Sequence, residues 1–108
     1  MIRTRAQAAF ERGQEWEAQG DPARAVNAYR EAIAHEPDWV APYRCLGALF
    51  LALGRFDEAA ATFRQASHIP VTGDTFTDDM LQLIKRIQAG ELDPTAYHYY
   101  ALAQGLSD

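Results

Sequence analysis

The chain has 108 residues, 48% of them hydrophobic, and a formal net charge of −5. This length allows one compact domain with a modest core, and the hydrophobic content argues against a disordered tail. The acidic balance argues against nucleic acid as the main partner, because phosphate binding requires a basic surface.

The segment that most resembles a membrane span is the uncharged run from Cys45 to Gly54. It has about half of the roughly 20 apolar residues that a spanning helix needs, so we expect a buried helix and no membrane insertion. The first sixteen residues carry charges throughout and contain no apolar core of a signal peptide. We therefore expect a cytoplasmic protein.

Apolar and small residues recur at helical spacing along the whole chain. The predicted helices are, in order, about 3–19, 22–35, 40–53, 56–68, 77–89 and 94–105. Asp21 before Pro22, and Asp93 before Pro94, are typical of an N-cap followed by proline in the first turn. Three glycines are placed to end the first, third and fifth helices: Gly20, Gly54 and Gly90.

The sequence repeats itself with a period of about 34 residues, which is typical of stacked helix pairs. Small residues coincide with small ones, as Gly13 does with Gly47, and aromatic residues coincide with aromatic ones, as Tyr29 does with Phe63. A weaker third copy follows about three extra residues in the segment IPVTGDTFT, and there Ile84 replaces the helix glycine. The chain is therefore predicted to consist of three similar helix pairs, the third degenerate.

The repeated glycines lie inside predicted helices, where glycine costs about 1 kcal/mol relative to alanine. A close approach of a facing helix would compensate, and the predicted small partners are Ala25 and Ala59. Tyr29 and Phe63 are predicted to fill the space between neighbouring pairs.

In the middle copy, Leu46-Gly47 and Phe50 are followed by Ala59 and Phe63, and this pattern resembles the tetratricopeptide repeat family. The resemblance implies an all-α, right-handed superhelical solenoid of antiparallel helix pairs. It implies a single domain over 1–108 with repeats at about 6–39, 40–73 and 77–108. It also implies a non-catalytic protein–protein interaction module that binds a partner peptide or helix in its concave groove.

The resemblance further implies which residues face that groove. The predicted contacts are Phe10, Gln14, Arg44, Cys45, Ala48, Leu51, Leu81 and Lys85. Phe10, Leu51 and Leu81 would be the apolar contacts, and the polar rim would include Glu11 and Glu17. The alternative for Phe10 and Leu51 is an ordinary place in the core. In the same third helix, Leu46, Phe50 and Leu53 are predicted to face the packed interior.

One subtype of the family binds a C-terminal carboxylate with paired Lys and Asn side chains. This chain has Phe10, Gln14 and Cys45 at the matching positions, so we expect no binding of that kind.

The sequence contains no pattern typical of an enzyme or of a metal or cofactor site. His35, His68 and His98 lack metal-ligand spacing, and the first two are predicted near helix C-termini, where a cation is favourable. Cys45 is the single cysteine and is predicted to be an inert, partly buried thiol.

The last predicted helix suggests two alternative functions. It lacks charged residues, and four of its side chains would lie outside the repeat packing: Tyr97, Tyr99, Leu102 and Leu106. They would support either a homodimer or docking to a following domain, because an exposed apolar patch marks an interaction site. In the second case the chain would be a docking or regulatory part of a larger enzyme, such as a glycosyltransferase or a methyltransferase. Short loops and the prevalence of arginine favour a bacterial origin.

Overall fold

The computed structural model describes residues 4–69 and 76–91, which form five α-helices and no strand. The helices are α1 (Arg5–Ala18), α2 (Pro22–His35), α3 (Val40–Ala52), α4 (Phe56–Ser67) and α5 (Phe76–Gln88). They confirm the all-α prediction and five of the six predicted helices. The sixth, with Tyr97, Tyr99, Leu102 and Leu106, lies outside the described residues, so self-association through it stays a prediction.

The helix ends follow from the residues that were expected to set them. The carboxylate of Asp21 accepts a hydrogen bond from the backbone N–H of Arg24 at 3.1 Å, and Pro22 occupies the first turn of α2. The glycines that follow α1, α3 and α5 have φ values of 77°, 74° and 78°, which side chains other than glycine rarely adopt. Each of these helices therefore ends in a sharp turn.

Consecutive helices are neighbours in space. α1 packs on α2, α3 packs on α4, and these pairs are joined by contacts of α2 with α3 and of α4 with α5. The short connections between them favour antiparallel neighbours. The described chain is thus a row of helix pairs in which each helix contacts the next.

Each complete helix pair is closed by an aromatic ring that lies against a glycine. A Cβ atom added to Gly13 would lie 2.5 Å from Cε1 of Tyr29, and one added to Gly47 would lie 2.5 Å from Cζ of Phe63. The predicted close approach is confirmed, and the atoms that lie nearest to the glycines belong to the rings of Tyr29 and Phe63. The rings occupy this space because a flat ring can contact the bare backbone, and the predicted small residues Ala25 and Ala59 are also fully buried.

The core extends from α2 to α5 and includes Leu46 and Phe50 of α3, as predicted. The prediction for Leu53 was wrong, because its side chain is 42% exposed. α3 ends at Ala52, and Leu53 is its C-cap residue immediately before the turn at Gly54. The side chain of Leu53 therefore does not lie on the buried face of α3. Within the described residues, no helix is long and apolar enough to cross a membrane.

Candidate partner-binding groove

One face of α3 is left partly open by the helix packing. Four residues that share this side of the helix are half-buried: Ala41, Arg44, Cys45 and Ala48. The residues on the opposite face, including Leu46 and Phe50, are buried. α3 thus has one side in the core and a second side that is only half-buried.

A similar face occurs on α1. The buried residues of α1 are Ala6, Ala9 and Gly13. Phe10 is half-buried, and Gln14 and Glu17 are exposed at four and seven positions further along. These three share one side of the helix, because residues at such spacing lie nearly above one another.

Tyr29 of α2 joins the two faces. Its side chain is 1% exposed, and its hydroxyl lies against both the carboxyl group of Glu17 on α1 and the thiol of Cys45 on α3. Two predicted groove residues on different helices therefore meet above one buried hydroxyl. We call the resulting surface the α1–α3 groove, formed by Phe10, Gln14, Glu17, Arg44, Cys45 and Ala48.

The acid–base properties of this cluster follow from its burial. Burial raises the pKa of Tyr29 far above its ordinary range, so the residue is a neutral hydrogen-bond donor. The Glu17 side chain is largely exposed, but burial of its carboxyl end raises the pKa, while the hydrogen bond from Tyr29 lowers it. Burial is the larger of the two effects, so the pKa of Glu17 is raised overall, and the tyrosine hydroxyl offsets part of this rise.

Burial, followed by the nearby Glu17 carboxylate, raises the pKa of the Cys45 thiol to about 11. The thiolate is the reactive form, and a raised pKa leaves little of it at neutral pH. We therefore expect Cys45 to be unreactive, in line with the sequence prediction.

At pH 7 we expect iodoacetamide to alkylate Cys45 about a hundredfold more slowly than a cysteine of ordinary pKa. Addition of urea should restore the ordinary rate, since unfolding removes both effects on the pKa. The loss of free thiol measured with a chromogenic reagent gives the two rates. Equal rates in the folded and unfolded chain would contradict the burial of this thiol.

Aromatic side chains extend the floor of the groove at one end. The ring of Phe10 lies 5.0 Å from that of Trp39 and 5.8 Å from that of Tyr29, measured between centroids. Phe10 and Trp39 are both half-buried. Trp39 is the N-cap residue of α3 and was not among the predicted groove contacts.

Leu51 is placed differently from the prediction. Its side chain is 4% exposed and belongs to the core cluster together with residues of α4 and α5. It offers almost no surface to a partner, so the alternative of an ordinary core position is the correct one. Of the predicted contacts on α5, Leu81 is half-buried against the core and Lys85 is exposed.

Neither histidine in the described part of the chain lies in a cluster suited to a metal ion. Among residues 4–69 and 76–91, no group of three or more His, Cys, Asp and Glu side chains could hold one. His35 lies in the last turn of α2, and His68 is the C-cap of α4, as expected.

Antiparallel helix pairs that recur with the period of the sequence repeat, each closed by a ring over a glycine, define a protein of the helical repeat class. The sequence pattern of the tetratricopeptide repeat matches residues 17–70, which is half of the chain. The chain therefore belongs to the tetratricopeptide repeat family, whose repeats generally mediate protein–protein interaction and are typically not catalytic. No curated protein matches the sequence.

Proposed function

We propose that this chain is a non-catalytic module that binds a segment of a partner protein in the α1–α3 groove. The observation that supports this most is the meeting of Glu17 and Cys45 above Tyr29. It brings one residue from each partly open helix face to the same buried hydroxyl, and a segment lying there could contact both repeats at once.

The chemistry of the groove suits a protein segment. Phe10, Cys45 and Ala48 provide apolar surface, and the small alanine leaves room for a partner side chain. Gln14 and Arg44 provide polar groups at the edges. An apolar centre with a polar rim is the usual composition of a specific protein interface. Leu81 and Lys85 would lengthen this surface if the partner segment continues along α5.

The proposal is tested by placing a large charged side chain in the groove. We expect Ala48→Arg to abolish capture of the partner from an extract of the native organism, because the long side chain fills the space that the alanine leaves. The matched control is Ala61→Arg, the same substitution at an exposed alanine on α4. Capture is measured by comparing the proteins retained on the immobilised wild type and on both variants.

A partner that binds the wild type and Ala61→Arg but not Ala48→Arg supports the groove. A partner retained equally by all three proteins would contradict it. Gln14→Arg, at an exposed position of the same groove, provides a second test if Ala48→Arg lowers the melting temperature.

A further inference from the structure

The first helix pair contains an arginine that lies between an aromatic ring and a carboxylate. The Cζ atom of Arg24 lies 4.7 Å from the centroid of the Trp16 ring, and its Nε atom lies 3.4 Å from Oδ2 of Asp21. A guanidinium group suits this arrangement, because its flat face stacks on a ring while its N–H groups pair with an acid.

The second helix pair contains the same arrangement with other residues. The Cζ atom of Arg55 lies 4.7 Å from the centroid of the Phe50 ring. Its Nε and Nη2 atoms each donate a hydrogen bond of 2.6 Å to a carboxylate oxygen of Glu58. The described chain therefore twice combines an aromatic ring, a carboxylate and a guanidinium group.

A third ring with carboxylates close to it in the chain lies at the end of the α1–α3 groove. Trp39 is half-buried, and its ring centroid lies 5.0 Å from that of Phe10. Glu36 and Asp38 lie in the turn that leads into Trp39, and both are exposed. Within residues 4–69 and 76–91, no guanidinium group lies over the ring of Trp39. We call this surface the Trp39 patch, formed by Phe10, Glu36, Asp38 and Trp39.

The turn that carries the two acids is held by two hydrogen bonds. The backbone N–H of Trp39 donates to the carbonyl of Glu36 at 3.2 Å, and the hydroxyl of Tyr43 donates to the carbonyl of Pro37 at 2.7 Å. The acids are thereby kept within one turn of the ring. A site that is already ordered binds with a smaller loss of conformational entropy.

We propose that the Trp39 patch binds an arginine side chain of the partner segment, with the guanidinium group on the Trp39 ring and paired with the acids of the turn. This inference rests on the proposed function and adds the chemistry of the partner. Residues 36–43 contain two acidic residues and no Lys or Arg, and the net charge of the chain is −5. Both features favour a basic partner over an acidic one.

The test is selection from a displayed library of random peptides on the folded protein. The wild type is expected to enrich arginine, and to enrich it more than lysine, because only the guanidinium group is flat enough to stack on the ring. The double variant Glu36→Gln, Asp38→Asn should enrich arginine much less, since its turn carries no charge. The double variant Glu15→Gln, Glu91→Gln removes two charges from other exposed positions and should select as the wild type does.

Calorimetry on one selected peptide then measures the contribution of the ring. Replacing the arginine of the peptide by lysine should weaken its binding to the wild type about fivefold, as expected for the loss of a stacked guanidinium group. The same change should have little effect on binding to Trp39→Leu, because this variant has no ring to stack on. Melting curves show that Trp39→Leu is folded, and the variants of the exposed acids test the proposal if it is not.

Equal enrichment of arginine on the wild type and on Glu36→Gln, Asp38→Asn would overturn the inference. Equal enrichment of lysine and arginine on the wild type would also overturn it. If the wild type selects peptides that lack arginine and Ala48→Arg does not, the groove binds its partner but the Trp39 patch does not hold an arginine. If the wild type enriches nothing beyond what Ala48→Arg enriches, the proposed function fails as well.

Discussion

Leu51→Arg is expected to unfold the protein or to lower its free energy of unfolding by at least about 3 kcal/mol. The side chain of Leu51 is 4% exposed and packs within the cluster that joins α3, α4 and α5. Arginine would remove the apolar contacts and force a charge either into the core or out through displaced helices. Because small domains have only about 5–15 kcal/mol of stability, the loss is a large part of the total.

The matched control is Leu53→Arg, the same substitution two residues later. Leu53 is 42% exposed beyond the end of α3, so we expect its replacement to change the stability by less than about 0.5 kcal/mol. Urea denaturation followed by circular dichroism compares the two variants. If Leu51→Arg were as stable as the wild type, we would infer that Leu51 lies in the accessible groove. That result would contradict the packing described above.

Gly47→Ala is expected to destabilise the chain by about 2 kcal/mol, although alanine is the better helix former by about 1 kcal/mol. The added methyl would lie 2.5 Å from Cζ of Phe63, and the phenyl ring is fully buried, so it cannot move away cheaply. In a domain of this size the melting temperature should fall by roughly 10 °C.

A shorter side chain at position 63 should relieve this conflict. In the background of Phe63→Leu, we expect the same alanine to cost at least about 1 kcal/mol less, because leucine leaves space beside the helix. Thermal denaturation of the two single variants and the double variant measures this coupling. If Gly47→Ala instead stabilises the wild type by the amount that helix propensity predicts, the ring does not lie against the glycine.

Much of the fold is predictable because local signals and the repeat agree. Asp21 with Pro22 begins α2, and the glycines after α1, α3 and α5 end those helices, all through backbone effects that depend on a few neighbouring residues. The internal repeat adds the pairing of helices, because each copy must bury its apolar face against the next.

The candidate site is less predictable because it depends on how far each helix extends and on what covers it. The repeat pattern assigned Leu51 to the groove and Leu53 to the core, but the packing of later helices and the end of α3 reversed these places. The hydroxyl of Tyr29 beside Glu17 was harder to predict from the sequence. The first repeat has Tyr29 where the second has Phe63, and Glu17 where the second has Leu51. This difference indicates that the first repeat carries a hydroxyl and a charge at these positions.

The central claim is tested most directly by the binding of one peptide to three folded proteins. The peptide is one selected on the wild type from a displayed library of random peptides. Calorimetry should give equal affinities for the wild type and Ala61→Arg, and an affinity at least about tenfold weaker for Ala48→Arg. Melting curves show that each protein is folded. If Ala48→Arg binds the peptide as tightly as the wild type does, the α1–α3 groove is not where this chain holds its partner.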